Sequence, residues 1–221
     1  VTGAEDASRI DRIASRFATR SHRSYVRGKL GWDPLFAAVV PVIVAADQPL
    51  LDVGCGIGLL GQTLRESGFA QGYRGLDLDA EKIDAARAAA TRVDLELAFD
   101  VGSATALPDF AGSVAMLDVL HYLPRDAQRD ALDAGASRVA RGGVLVIRNV
   151  VRDDTWRFRA TVLQERISRG LGWMRCETGH FPTQAEIVEP LRAAGLAVET
   201  TPLWGKTPFN SWLFVGRRAV S

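Results

Sequence analysis

From Leu50 to Asn149 the chain alternates short apolar runs with helical patterns, and that alternation leaves few folds open. Runs at 50–53, 73–78, 95–101, 113–119 and 143–149 read as buried strands, and the segments 58–67, 79–91 and 124–140 read as helices. Strands joined by helices of this length make right-handed βαβ crossovers, and hence a parallel sheet. A length of 221 residues suits one such α/β domain around a single core.

The two ends depart from this rhythm. Residues 5–27 read as one helix with Ile10, Ile13 and Phe17 on an apolar stripe, while Arg9, Arg12, Arg16, Arg20, Arg23 and Arg27 form a second, basic stripe. Asp33 and Pro34 open a further apolar helix, which Pro41 is expected to kink or interrupt. Past the fifth strand, 153–169 and 183–194 read as helices. Thr183 and Glu186 make a capping box for the latter, Gly195 is its stop, and Pro190 is expected to kink it. Strands at 196–203 and 211–217 finish the chain, and their short connection makes the last strand antiparallel to its neighbour. The predicted fold is a Rossmann-like, seven-stranded, mostly parallel sheet with an antiparallel last strand and helices on both faces.

Leu50 to Gly58, LLDVGCGIG, carries the most chemistry. It is a strand running into a glycine loop that opens a helix, which lets backbone approach a ligand closely. The dinucleotide fingerprint wants its third glycine at the sixth position, where Leu59 stands; Gly54, Gly56 and Gly58 have the spacing GxGxG instead. Asp52, two residues before Gly54, would oppose a pyrophosphate but suits a ligand bearing an ammonium and a sulfonium. Asp77 ends the second strand, at a distance along the chain where an acid can accept hydrogen bonds from ribose hydroxyls.

At these residues the chain resembles the class I S-adenosylmethionine-dependent methyltransferases. LDVGCGIG is similar to their first motif, GLDLD to the second and GSATALP to the third. VAMLDVLHYLP and ARGGVLVIRNV resemble the segments at the fourth and fifth strands, and FPTQAEIVEPLRAAGLAVET the sixth-strand region. The resemblance implies S-adenosylmethionine as cofactor and S-adenosylhomocysteine as product. Asp52, Gly54, Cys55, Gly56 and Gly58 would hold the methionine part, Asp77 the ribose, and Leu78 the adenine. Ser103 stands where the family usually places an acid on the adenine amino group, so Asp100 or Asp109 is the substitute, and Ala104 offers its backbone. Asp118 would complete the cofactor set. The resemblance also divides the single domain into an N-terminal helical cover (1–47), a cofactor-binding core (48–150), a substrate lid (151–195) and C-terminal strands (196–221). Tyr25, Arg27, Lys29, Asp33 and Pro34, with the TPFNSWL tail, bear a fainter likeness to methyltransferases of bacterial aryl-polyene pigment pathways.

Several residues have a functional and a structural reading. His121 and Tyr122 follow the fourth strand, where His121 is a candidate general base and Tyr122 a substrate contact; both could equally cap the strand and pack. Tyr25 is a candidate for closing over the cofactor, and Arg27 has the alternative of a solvated basic face. Trp156, Phe158, Trp173 and Met174, among Arg152, Arg157, Arg159, Arg166, Arg169 and Arg175, suit either a substrate lid or an amphipathic helix. Trp204, Phe209 and Asn210 are pocket candidates or hairpin anchors, and His180 is equally open.

A formal net charge of +1 points to no polyanionic partner. Cys55 and Cys176 make no disulfide framework, which fits a reducing, cytoplasmic setting. Two cysteines and three histidines show no metal-ligand spacing, so no metal is expected. The apolar run from Leu35 to Ala46 is far shorter than the roughly 20 residues a membrane span needs. The expected partner is a small-molecule acceptor, aromatic or phenolic, or an acyl group on a carrier protein. The alternatives are an RNA methyltransferase, a non-catalytic S-adenosylmethionine-binding protein and a nicotinamide-dependent oxidoreductase.

Overall fold

The computed structural model describes residues 2–170, 179–205 and 208–220. The chain divides into two compact units, Val1–Ala104 and Thr105–Ser221. The first unit runs α1 (Thr2–Ser15), α2 (Arg20–Trp32), α3 (Leu35–Ala46), β1 (Leu50–Val53), α4 (Leu59–Glu66), β2 (Tyr73–Asp77), α5 (Ala80–Thr91) and β3 (Ala98–Val101). Its three strands are parallel, with β2 between β1 and β3. All of β1 is buried, as are Leu64, Ile83 and Phe99, which is why its sequence runs apolar without alternation.

The single helix expected over 5–27 is two helices. Thr19 has extended backbone, and its hydroxyl accepts a hydrogen bond from the His22 amide at 3.1 Å, starting α2 afresh. The periodic stripe hid this cap because it lies inside the run. Three arginines of the basic stripe are paired within the unit. Arg12 and Arg16 both pair with Glu66 of α4, Arg16 also donates to Gln62, and Arg27 pairs with Asp11 at 2.7 Å. Pro41 does not interrupt α3, which runs unbroken from Leu35 to Ala46. Burial of Leu35, Phe36, Val39, Val40 and Ile43 along one helix face offsets the roughly 3 kcal/mol that an interior proline costs.

The second unit runs β4 (Ser113–Leu117), a 3₁₀ turn (Leu120–Tyr122), α6 (Arg125–Arg138), β5 (Val144–Val150), α7 (Trp156–Gly170), α8 (Gln184–Ala193), β6 (Ala197–Pro202) and β7 (Ser211–Arg217). β4 and β5 are parallel, and β7 lies antiparallel between β5 and β6, as its short connection requires. The seven strands thus run in the order β3-β2-β1 within the first unit and β4-β5-β7-β6 within the second. β5 is buried along its whole length, including its two polar residues, Arg148 and Asn149. Among the described residues no single helix is long and apolar enough to cross a membrane.

The capping box forms as expected: the Thr183 hydroxyl accepts from the Glu186 amide, and the Glu186 carboxylate accepts from the Thr183 amide at 2.8 Å. Gly195 closes the helix with φ 81°. Pro190 sits inside α8 without ending it. Glu186 also gathers Arg125, Arg152 and His180. Partial burial works to raise its pKa, but the Thr183 amide, His180, the Thr183 hydroxyl and Arg125 outweigh it and hold the carboxyl at about 2. A depressed carboxyl stabilises the fold in full above its ordinary value and loses that contribution as pH falls through its folded value. Thr183→Ala should therefore cost about 1 kcal/mol in denaturant unfolding at neutral pH. The difference from wild type should shrink as pH falls from about 4.5 toward about 2. A pH-independent difference would confine the effect to the hydroxyl cap.

Candidate active site

The turn after β1 is built from glycines the backbone demands. Gly54, Gly56 and Gly58 have φ of 75°, 55° and 75°, in the left-handed region that side chains disfavour. A Cβ on Gly58 would lie 2.6 Å from the Phe99 ring, whereas one on Gly56 would meet nothing within 4 Å. The turn is thus packed on one side and open on the other. Gly54 and Cys55 both donate to the Leu76 carbonyl, at 2.7 and 2.9 Å. Gly56 donates to Asp77 Oδ2 at 2.8 Å, and the Asp79 amide donates to Asp77 Oδ1 at 2.9 Å. Each oxygen keeps acceptor capacity for a ligand hydroxyl. Leu78, next in the chain, is 69% exposed and offers an apolar surface. An open glycine turn, a fixed carboxylate and an exposed leucine fit the methionine, ribose and adenine parts expected of the cofactor.

Cys55 and Asp52, both expected at the cofactor, are buried at this turn. Cys55 is buried, its amide is committed to Leu76, and its Sγ fills the space over Gly75. Burial, with Asp52 and Asp77 nearby, pushes its thiol far above the usual range, so Cys55 packs the turn from behind. Asp52 is only 2% exposed, and its Oδ2 accepts a 2.6 Å hydrogen bond from the Tyr73 hydroxyl. Its carboxyl is thus braced against β2. Burial pushes Asp52 up to about 7, against the pull of the Tyr73 bond and with the push of Asp77. The Tyr73 ring fits because Gly61 lacks a Cβ, which would come within 2.8 Å of it.

Elsewhere in the first unit, Ser103 is half-buried and Ala104 buried. Asp100, the expected substitute acid, is instead paired with Arg74 at 2.8 Å and Arg87 at 3.8 Å. In the second unit Asp109, the other substitute, is fully exposed beside Arg138. Tyr25 is 53% exposed on α2. The ion pair of Arg27 with Asp11, both half-exposed, favours the solvated reading of that arginine.

In the second unit the carboxyl ends of β4 and β5 carry a polar cluster. Asp118 has φ 61°, its amide donates to the Arg148 carbonyl at 2.8 Å, and its Oδ2 accepts from Arg148 Nη1 at 2.5 Å. Arg148 Nη2 donates to Ser211 at 3.2 Å. Asp118, expected at the cofactor, is thus held by an arginine of β5. His121 is 4% exposed, with Nδ1 2.9 Å from Asn149 Oδ1. Its ring stacks on Phe181, with centroids 6.1 Å apart and 10° between planes, and lies 4.2 Å from Tyr122. Phe158 meets Phe181 edge-on.

Trp156 and Trp204 are brought together by Arg157, whose guanidinium lies 4.9 Å from the first ring centroid and 4.5 Å from the second. Asn210, a pocket or hairpin-anchor candidate, is wholly buried, and its amide donates to the Val151 carbonyl and Asp153, each at 2.8 Å. Its own backbone amide donates to Thr161. Asn210 anchors the start of β7 to α7, and Phe209 beside it is half-buried. His180 belongs to the Glu186 network. Arg166, Arg169, Trp173, Met174 and Arg175 fall outside the residues whose side chains are described.

Tyr73, Arg148 and Asn149 escaped the sequence reading. Their signal was present: each is a polar group inside an apolar run, and a buried polar group needs a partner.

Residues 50–143 match the family model described as a methyltransferase domain. The ubiquinone biosynthesis O-methyltransferase of Thiobacillus denitrificans is 30% identical over 166 residues, covering 73% of this chain and 69% of that protein. The mitochondrial ubiquinone biosynthesis O-methyltransferase of Candida albicans is 26% identical over 125 residues, or 54% of this chain and 38% of the relative's length. Among solved structures, the magnesium protoporphyrin IX methyltransferase of Synechocystis with bound SAH superposes with a TM-score of 0.67 at 20% identity, over 96% of this chain and 94% of that one. An O-methyltransferase of neocarzinostatin biosynthesis, in complex with S-adenosylmethionine and a naphthoic acid, gives 0.62 at 21% identity, over 87% and 55%. The chain belongs to the class I S-adenosylmethionine-dependent methyltransferases.

The buried acid gives a test of the turn's foundation. A carboxyl raised from 3.8 to about 7 adds stability in full below its ordinary value and loses that contribution as pH rises through its folded value. Tyr73→Phe should cost about 1 kcal/mol at pH near 5, where Asp52 is protonated, and about 1.5–3 at pH near 8, where a charged acceptor loses its donor. Equal losses at both pH values would contradict this ionisation.

Proposed function

We propose that the protein transfers a methyl group from S-adenosylmethionine to an oxygen of a small aromatic acceptor, with His121 as general base. The observation that carries this reading is an imidazole packed against Tyr122 and Phe181, with Phe158 edge-on to Phe181, just past the carboxyl end of β4. Ligands of open α/β sheets lie off the carboxyl ends of the strands. Support also comes from the relatives named as ubiquinone O-methyltransferases and from the naphthoic acid complex of a structural neighbour.

S-adenosylmethionine, when bound, supplies a methyl on a sulfonium, whose C–S bonding pair departs with the sulfur. In the first unit, Asp77 and the open side of the Gly54–Gly58 turn hold the nucleoside and methionine ends, and Leu78 covers the base. Asp52, buried and bonded to Tyr73, braces the start of the turn. In the second unit, the aromatic rings around His121 orient a flat acceptor. His121 takes the hydroxyl proton as that oxygen bonds to the methyl carbon, leaving a methyl ether and an imidazolium. Alignment of nucleophile and methyl carbon at roughly 3–3.5 Å does most of the remaining work.

An RNA acceptor is disfavoured by the arginine stripe, because Arg12, Arg16 and Arg27 are paired with Glu66 and Asp11. For a carrier-bound acyl group, Arg152 is likewise engaged with Glu186. Transfer of labelled methyl should be seen with phenolic acceptors and not with RNA or acyl carrier protein. His121→Ala should lower kcat at least about tenfold on the true acceptor while S-adenosylhomocysteine affinity is kept. Wild-type kcat in that variant would reduce His121 to a packing residue, and transfer to RNA would overturn the acceptor class.

A further inference from the structure

We propose that Asn149 is a positioning residue that fixes His121 in the Nδ1–H tautomer, so that Nε2 carries the free lone pair. The consequence for catalysis rests on the reading of His121 as base; the tautomer assignment does not.

Asn149 lies near the end of VLVIRNV, a strand buried along its whole length, and is itself 0% exposed. An amide there costs free energy unless its donors and acceptor are matched. Its Nδ2 donates to the Val150 carbonyl at 2.8 Å. Its Oδ1 faces two nitrogens of one residue, the His121 backbone amide at 3.4 Å and Nδ1 at 2.9 Å. The backbone groups settle which way the amide points. A carbonyl only accepts and an amide N–H only donates, so a flipped Asn149 would oppose oxygen to oxygen and N–H to N–H. With Oδ1 fixed as an acceptor, Nδ1 must carry the proton. A neutral imidazole has one N–H, and Nε2 is therefore the basic nitrogen.

The ring is restrained in other ways too. The His121 carbonyl accepts from the Gly179 amide at 2.9 Å, and Phe181 stacks parallel to the imidazole. Among the described residues Nε2 has no hydrogen-bond partner. Free histidine favours the Nε2–H form, so without Asn149 much of the population would present a donor where a base is needed. The neutral amide sets the tautomer without adding a negative charge, which would hold the captured proton on the ring.

Long-range ¹H–¹⁵N correlation spectra of the labelled full chain read the tautomer directly, with His121 assigned by its loss in His121→Gln. At a pH where imidazole is neutral, wild type should show Nδ1 as the protonated nitrogen and Nε2 as the unprotonated one. A protonated Nε2 would overturn the assignment, and this measurement needs no Asn149 variant to fold. In Asn149→Leu, close to isosteric, the spectrum should move toward the Nε2–H form. Its kcat should fall at least about tenfold, with acceptor KM and S-adenosylhomocysteine affinity changed by less than about twofold. Full kcat in Asn149→Leu, where His121→Ala has lost it, would overturn the positioning role. Full kcat in both, with Nδ1 protonated in wild type, would defeat the base reading and leave the tautomer assignment standing.

Discussion

The hydrogen bond from the Gly56 amide to the Asp77 carboxylate ties the turn after β1 to the end of β2. Three glycines at alternate positions, 54, 56 and 58, all with positive φ, would otherwise make a loose segment, since glycine loses the most conformational freedom on folding. Here Leu76 takes two amides, Asp77 takes a third, and Phe99 closes off the side where Gly58 approaches it. The carboxylate proposed for the ribose is thus the same group that shapes the loop proposed for the methionine end. One aspartate couples the two functions.

The same economy governs the polar residues of the buried strands. A parallel sheet desolvates its strands on both faces, so polar side chains survive near the strand ends only when paired. Asp52 is met by Tyr73, Arg148 by Asp118 and Ser211, and Asn149 by Val150 and His121. The cost of burial is offset by bonds that also orient the groups proposed to do chemistry. Asp118 accepts a left-handed backbone in this setting, with its carboxylate held by Arg148.

Much of this was legible in the sequence because hydrophobic periodicity reports burial. The strands of the sheet, the βαβ order, the glycine turn with Asp77, the capping box at Thr183 and the antiparallel β7 all follow from patterns of a few residues. The exceptions have local causes. Thr19 splits a continuous apolar stripe because a cap depends on one hydroxyl, not on periodicity. Pro41 and Pro190 stay inside helices because tertiary burial outweighs a propensity. For the candidate site, position along a strand places Asp77 and His121 at strand ends but gives no direction: Asp52 and Cys55 are buried against β2, and Asn210 turns inward. Partners such as Tyr73 and Asn149 come from distant parts of the chain, which a linear pattern does not pair.

On the proposed reading, the turn after β1 and Asp77 form an S-adenosylmethionine site and not a dinucleotide site. Calorimetric titration of the full chain with S-adenosylhomocysteine, with NAD in parallel, tests it most directly. Saturable binding of S-adenosylhomocysteine is expected, with no comparable binding of NAD. Asp77→Ala should weaken that binding by about 1.5–3 kcal/mol through lost charge-assisted hydrogen bonds. Equal binding of NAD, or an unchanged affinity in the Asp77→Ala protein, would rule out this cofactor site.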